Sequence, residues 1–120
     1  MAFGNPYDEE YRRDEVIEWA DKIASLGIQI ISLADTVGQA QSKDINYLFS
    51  ELVPGYPSVE FGAHFHSEPA HWQIKIEEAY KAGCLRFDGT IKGIGGCPMA
   101  QDKLVGNMPS EKLISFFVIL

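Results

Sequence analysis

Strand-like and helix-like segments alternate along this chain in units of about 30 residues, and this repetition restricts its fold more than any other feature. Three apolar, β-rich runs, "IQIISL", "SVEFGAHFH" and "CLRFDGT", read as strands. Amphipathic helical patterns follow the first two, and another precedes them, from Val16 to Leu26. Strands joined by helical crossovers of this length lie parallel, so the pattern predicts a parallel sheet with right-handed connections.

Local signals predict where these helices begin and end. Gly27 is expected to stop the first helix. Ser42 is expected to cap the second, which should end before Pro54. The glycine-rich segment "IKGIGGCPMAQDKLVGNM" is predicted to be a long loop, and a last helix should begin at Pro109 or Ser110.

Two architectures are built from such units, the open doubly wound sheet and the eightfold barrel. A complete barrel usually needs about 250 residues, whereas this chain has 120. Residues 1–120 are therefore predicted to form one α/β domain of parallel (β/α) units. It is either a small open sheet or the carboxyl-terminal half of a TIM (β/α)8 barrel, incomplete as given.

Composition narrows the classes of partner and location. The formal charge of −7 argues against a nucleic-acid partner, because a phosphate backbone requires a basic surface. No apolar run reaches the roughly 18 residues of a membrane span, and the first residues lack the pattern of a signal peptide. Two cysteines without a secretion signal indicate a reducing compartment, and we expect a cytoplasmic location. A disulfide between Cys84 and Cys97 is not expected.

His64 and His66 stand two residues apart at the end of the second strand, so their side chains should lie on one face. Two imidazoles on one side can bind a divalent metal when further ligands approach. Further candidates lie on loops at the same end of the sheet: Asn107, Asp35, Cys97 and Asp88. The alternative is that one histidine bonds a backbone carbonyl and the other is solvated.

The segment "GIGGCPMA" carries a second candidate. Gly93, Gly95 and Gly96 would let the backbone adopt positive φ and approach a ligand closely. Cys97 follows them and is a candidate proton donor or nucleophile, or an idle thiol on a connector. Asp35, at the end of the first strand, could orient a substrate hydroxyl or cap a helix.

The segments "SLADTVG", "GAHFHS", "RFDGTIKGIGGCPMA" and "VGN" occur in this order and together resemble the carboxyl-terminal half of a 3-hydroxy-3-methylglutaryl-CoA (HMG-CoA) lyase. The resemblance implies a partial TIM barrel running from the tail of strand 5 through strand 8 to the start of the last helix. It also implies an acyl-CoA substrate and a divalent cation, Mg²⁺ or Mn²⁺, at the barrel mouth. The implied reaction cleaves HMG-CoA to acetyl-CoA and acetoacetate.

Residue roles follow from the same resemblance. His64, His66 and Asn107 match metal ligands, Asp35 matches a catalytic carboxylate, and Cys97 matches a loop cysteine in acid–base work. The Arg-Asp pair of the family's first barrel strand has no counterpart in this chain. Two alternatives remain open: an inactive half-barrel that associates into a homo-oligomer, and a related lyase acting on another acyl substrate.

Overall fold

The computed structural model describes residues 1–96 and 105–119. No helix within these ranges is long and apolar enough to cross a membrane. The elements are α1 Arg13–Ser25, β1 Ile30–Asp35, α2 Ser42–Gly55, β2 Glu60–Ser67, α3 Trp72–Lys81, β3 Arg86–Phe87, a 3₁₀ turn Ile91–Gly93, β4 Gly106–Asn107 and α4 Ser110–Ile119.

Strands β1, β2 and β3 form a parallel sheet in that order, which confirms the predicted strand direction. The β1–β2 register runs from Ile30 opposite Glu60 to Asp35 opposite Phe65. On the other side of β1, the Ala2 N–H donates to a β1 carbonyl at 2.8 Å, so the first residues lie beside that edge. Within the described residues the sheet does not close on itself.

The core lies between the sheet and the helices. Strand β2 directs Phe61, Ala63 and Phe65 into it, and all three are buried. The Phe65 ring packs edge-on against Phe3 at 5.6 Å and Phe49 of α2 at 6.4 Å between centroids. The opposite face, which we call the open face, carries the alternate residues of each strand. It is exposed at Ser32 and Glu60 and buried at Gly62 and His66.

Helix α2 corrects two expectations. Ser42 does not cap it, because the Gln41 carbonyl already accepts from two amides of the first turn, Asp44 and Ile45, and no side-chain cap bond forms. The helix also continues through Pro54. Pro54 is the last residue but one of α2, so a kink at this position affects little of the helix. Gly27 does end α1, at a φ of 84°.

The predicted long loop contains a strand that the sequence pattern did not indicate. Gly106 and Asn107 form β4, which pairs antiparallel with the end of β2. Asn107 lies opposite His66 in this register. A two-residue strand is too short to show alternation, so only its long-range pairing reveals it. The result is that β4 carries Asn107 to the carboxyl end of the parallel sheet.

Candidate functional site

The two histidines of β2 lie together on the open face of the sheet. Their ring centroids are 5.3 Å apart, as expected for residues two apart on a strand. The His64 side chain is 41% exposed, whereas His66 is buried. The pair thus combines one ring that a ligand can reach directly with one that is held within the structure.

The Nδ1 atom of each ring lies within hydrogen-bond distance of an acceptor, and Nε2 has no hydrogen-bond partner among the described residues. His66 Nδ1 lies 3.0 Å from the Asp35 carbonyl oxygen. A carbonyl only accepts, so this nitrogen carries the proton and donates, which leaves Nε2 with its lone pair. His64 Nδ1 lies 3.0 Å from Oδ2 of Asp88, where the neutral ring again donates from Nδ1. Metal-binding histidines typically make this kind of bond to a carbonyl or carboxylate.

Asn107 supplies the third predicted ligand. Its Nδ2 donates to the Ile94 carbonyl at 3.1 Å, and its backbone N–H donates to Gly95 at 3.2 Å. Because Nδ2 is used in this bond, the other atom of the amide, Oδ1, is the one that can accept a hydrogen bond or bind a metal. Because Asn107 pairs with His66, the structure brings the three predicted metal ligands to one corner of the sheet.

The glycines before residue 97 allow the loop to lie against β4. Gly93 and Gly95 adopt positive φ, 68° and 89°, which confirms the prediction for both. A Cβ on Gly93 would lie 2.8 Å from the Asn107 carbonyl oxygen. The prediction of positive φ for Gly96 is wrong. Glycine is needed there for space instead, because a Cβ would lie 2.7 Å from the Val105 carbonyl oxygen.

Asp35 does not join the histidines through its side chain. It lies opposite Phe65 in the sheet register and reaches toward α3, where Oδ2 is 2.6 Å from Nζ of Lys75. Its Oδ1 accepts from the Ala40 N–H at 3.0 Å, a capping type of contact. The residue is 1% exposed. Asp35 therefore contacts the histidine pair only through its main-chain carbonyl, which accepts from His66.

Neither cysteine is seen to contribute to the site within the described residues. Cys97, the predicted acid–base thiol, lies outside the described residues. Cys84 is a free thiol with no exposed surface. Burial raises its pKa to about 11, so it is protonated and unreactive at neutral pH. Cys84 is thus part of the core and not of the site.

Sequence reasoning missed Lys75 and the role of Asp88. Lys75 is buried on the core side of α3, next to Ile76 and one turn before Ala79. That helical spacing predicts an inward-facing lysine, and it was the available signal. Asp88, which the sequence offers as a further ligand candidate, accepts a hydrogen bond from His64 in this structure. Within residues 1–96 and 105–119 no three His, Cys, Asp or Glu side chains cluster to hold a metal, so a third ligand from these residues would have to be of another kind, such as the Asn107 amide.

Comparison with known proteins agrees with the sheet and its motifs. Residues 1–119 match the HMGL-like family. The HMG-CoA lyase YngG of Bacillus subtilis is 30% identical over 113 residues, which are 94% of this chain and 38% of the relative. The (R)-citramalyl-CoA lyase of Chloroflexus aurantiacus is 33% identical over 116 residues, 97% of this chain and 36% of the relative. The chain therefore spans little more than a third of the curated relatives it matches.

Solved structures give the same result for the fold. An HMG-CoA lyase from Acinetobacter baumannii, in complex with coenzyme A and 3-methylmalate, superimposes with a TM-score of 0.86 at 30% identity. The match covers 98% of this chain and 38% of that one. The parallel sheet with alternating helices is thus part of a TIM-barrel lyase fold, as the resemblance implied. The match over residues 1–119 shows that the chain belongs to the HMGL-like family.

Proposed function

We propose that this chain is the metal-binding part of a carbon–carbon lyase that cleaves HMG-CoA to acetyl-CoA and acetoacetate once the rest of the barrel is present. The observation that carries the proposal is the common orientation of His64 and His66. Both rings keep Nδ1 on an acceptor, so both can offer Nε2 on the open face, beside Asn107. We propose that residues 1–120 form a single partial domain, from the tail of barrel strand 5 through strand 8.

The donor set fits a divalent metal of the Mn²⁺ or Mg²⁺ type. His64 and His66 would hold it through imidazole nitrogens and Asn107 through an amide oxygen, and Mn²⁺ accepts both kinds of donor. Such cations are six-coordinate and take their remaining ligands from water, substrate or other protein groups. When bound, the metal would act as a Lewis acid toward a substrate oxygen.

The protein groups around this site would orient the ligands and move protons. Oδ2 of Asp88 accepts a hydrogen bond from Nδ1 of His64 at 3.0 Å and so orients the ring. The role of Asp35 as a base stays a prediction. Its side chain is 1% exposed and pairs with Lys75, so taking a substrate proton would require a rearrangement that brings the carboxylate to the substrate. The acid–base role of Cys97 also stays a prediction, as does the cytoplasmic location.

The substrate can be tested by rebuilding the barrel. The chain should be combined with the amino-terminal part of the Bacillus subtilis relative in the presence of Mn²⁺, and acetyl-CoA release measured. We expect release from HMG-CoA with both parts and little from either alone, because the chain spans 38% of that relative. Turnover of (R)-citramalyl-CoA instead would assign another acyl substrate. A well-folded combined protein that turns over neither would contradict the proposal.

Self-association is a second candidate, and an exposed apolar surface favours it. Beside β3 and α4 lies an open groove of about 540 Å³. Its rim carries Leu85, Ile114 and Val118, which are 77%, 64% and 78% exposed. Contiguous apolar surface of this kind commonly marks a protein interface. We propose that a second copy of the chain covers it when the rest of the barrel is absent.

Sedimentation of the chain alone tests this candidate. We expect a dimer or larger species for the natural sequence and a monomer for Leu85→Glu/Val118→Glu, because two charges on the rim would have to be desolvated in the interface. Ile28→Glu, which changes an exposed apolar residue on another part of the surface, is the matched control and should associate as the natural chain does. A natural chain that sediments as a monomer would remove this candidate.

A further inference from the structure

Lys75 makes a set of contacts that the proposed chemistry has not used. It projects from α3 and is 6% exposed. Its Nζ donates to Oδ2 of Asp35 at 2.6 Å, to the His66 carbonyl at 2.9 Å and to the Gly38 carbonyl at 3.1 Å. An ammonium has three hydrogens to donate. All three are therefore used to join β1, the turn after it and the end of β2.

One of these contacts reaches His66 directly, and a second reaches Asp35, whose carbonyl bonds the His66 ring. The His66 carbonyl accepts from Lys75, and the His66 ring donates from Nδ1 to the carbonyl of Asp35, the partner of Lys75. The main chain of His66 is thus bonded to Lys75, and its ring is bonded to Asp35, the residue with which Lys75 forms an ion pair. By comparison, among the described residues the His64 ring bonds Asp88, on a more exposed part of the surface.

Stability alone does not explain a lysine at this position. Apolar residues of similar volume usually replace a buried ion pair with equal or greater stability, because desolvating the two charges offsets their attraction. A charged pair does supply what an apolar pair lacks, which is directional hydrogen bonding to fixed acceptors. Here the acceptors are the Asp35 carboxylate and the carbonyls of Gly38 and His66.

We propose that Lys75 is a positioning residue that fixes the tautomer and orientation of His66, so that Nε2 faces the site. The inference rests on the proposed function, since it gives His66 the role of a metal ligand. The hydrogen bonds lead from Lys75 to the Asp35 side chain and from the Asp35 carbonyl to His66 Nδ1, and they are present without metal. It can therefore be tested separately from metal binding.

Nitrogen NMR of the full chain, with ¹⁵N-labelled histidine and no metal, reads the tautomer directly. Spectra should be taken about two pH units above the usual histidine pKa, where the ring is neutral. We expect His66 as the Nδ1–H form in the natural chain and a loss of that preference in Lys75→Met. Lys81→Met, which changes an exposed lysine on the same helix, is the control and should leave His66 unchanged.

The second measurement is the Mn²⁺ affinity of the natural chain and of Lys75→Met, obtained by titration. Loss of a group that supports a metal ligand typically weakens binding by about 10–100-fold, and we expect that range for Lys75→Met. A merely structural lysine would lower stability without changing the tautomer of the folded variant. If the natural chain binds no Mn²⁺, the proposed function fails and the tautomer alone decides the role of Lys75.

Three outcomes would overturn the inference. The first is an Nε2–H tautomer of His66 in the natural chain, a measurement that needs no variant. The second is an unchanged His66 tautomer in folded Lys75→Met, or in Asp35→Leu/Lys75→Met if the single variant does not fold. The third is unchanged Mn²⁺ affinity in the folded variant when the natural chain does bind Mn²⁺.

Discussion

Replacing His64 and His66 together by alanine is expected to weaken binding of Mn²⁺ to this chain by more than about 100-fold, beyond the effect of losing a supporting group alone. The change removes both imidazole donors, whose rings lie 5.3 Å apart, and leaves Asn107 as the remaining member of the proposed set. Calorimetric titration with Mn²⁺ measures the difference. Circular dichroism of the variant checks that the fold is retained, because His66 is buried and its ring bonds the Asp35 carbonyl.

His71 provides the matched control for this prediction. It is exposed at the start of α3, where Nδ1 lies 3.4 Å from a carboxylate oxygen of Glu68. His71→Ala also removes an imidazole, but one that is not among the proposed ligands, and it should bind Mn²⁺ as the natural chain does. Equal affinity in the natural chain and in the His64→Ala/His66→Ala variant would count decisively against a metal site here.

Replacing Phe65 by alanine is expected to lower the free energy of unfolding by about 3–5 kcal/mol, the usual loss for a large aromatic side chain in a core. Phe65 is 1% exposed, and its ring lies between Phe3 and Phe49. Removing it leaves a cavity between the sheet and α2 that neighbouring rings fill only in part. The shift of the urea midpoint, at unchanged slope, measures the loss.

The stability of Phe65→Ala also tests the facing of strand β2. Leu26→Ala changes a residue that is 80% exposed and should alter stability by no more than about 0.5 kcal/mol. A similarly small effect for Phe65→Ala would mean that its ring does not face the core. Because a one-residue slip reverses every side chain of a strand, His64 and His66 would then point toward the helices.

The parallel strands, the helices between them and the common face of His64 and His66 could be predicted from the sequence. Spacing by two residues on β2 puts both histidines on one face, and the structure places Phe61, Ala63 and Phe65 on the other. The parallel direction followed from the helical crossovers. These features depend on short-range periodicity, which a single sequence displays directly.

The contacts that organise the site depend on long-range pairing instead. Lys75 and Asp35 are 40 residues apart, and their ion pair is determined by how α3 packs on the sheet. Asp35 stands at the end of its strand, where the sequence does not indicate whether its side chain or its carbonyl meets the histidines. Strand β4 has two residues and becomes recognisable only through its pairing with β2.

The central claim is that both histidines of β2 bind one metal ion. Electron spin echo spectroscopy of Mn²⁺ bound to the ¹⁵N-histidine-labelled chain tests it most directly, because it detects the nitrogens coordinated to the ion. We expect coupling to two imidazole nitrogens in the natural chain, and to one in each of His64→Ala and His66→Ala. Bound Mn²⁺ without any histidine coupling in the natural chain would contradict the claim.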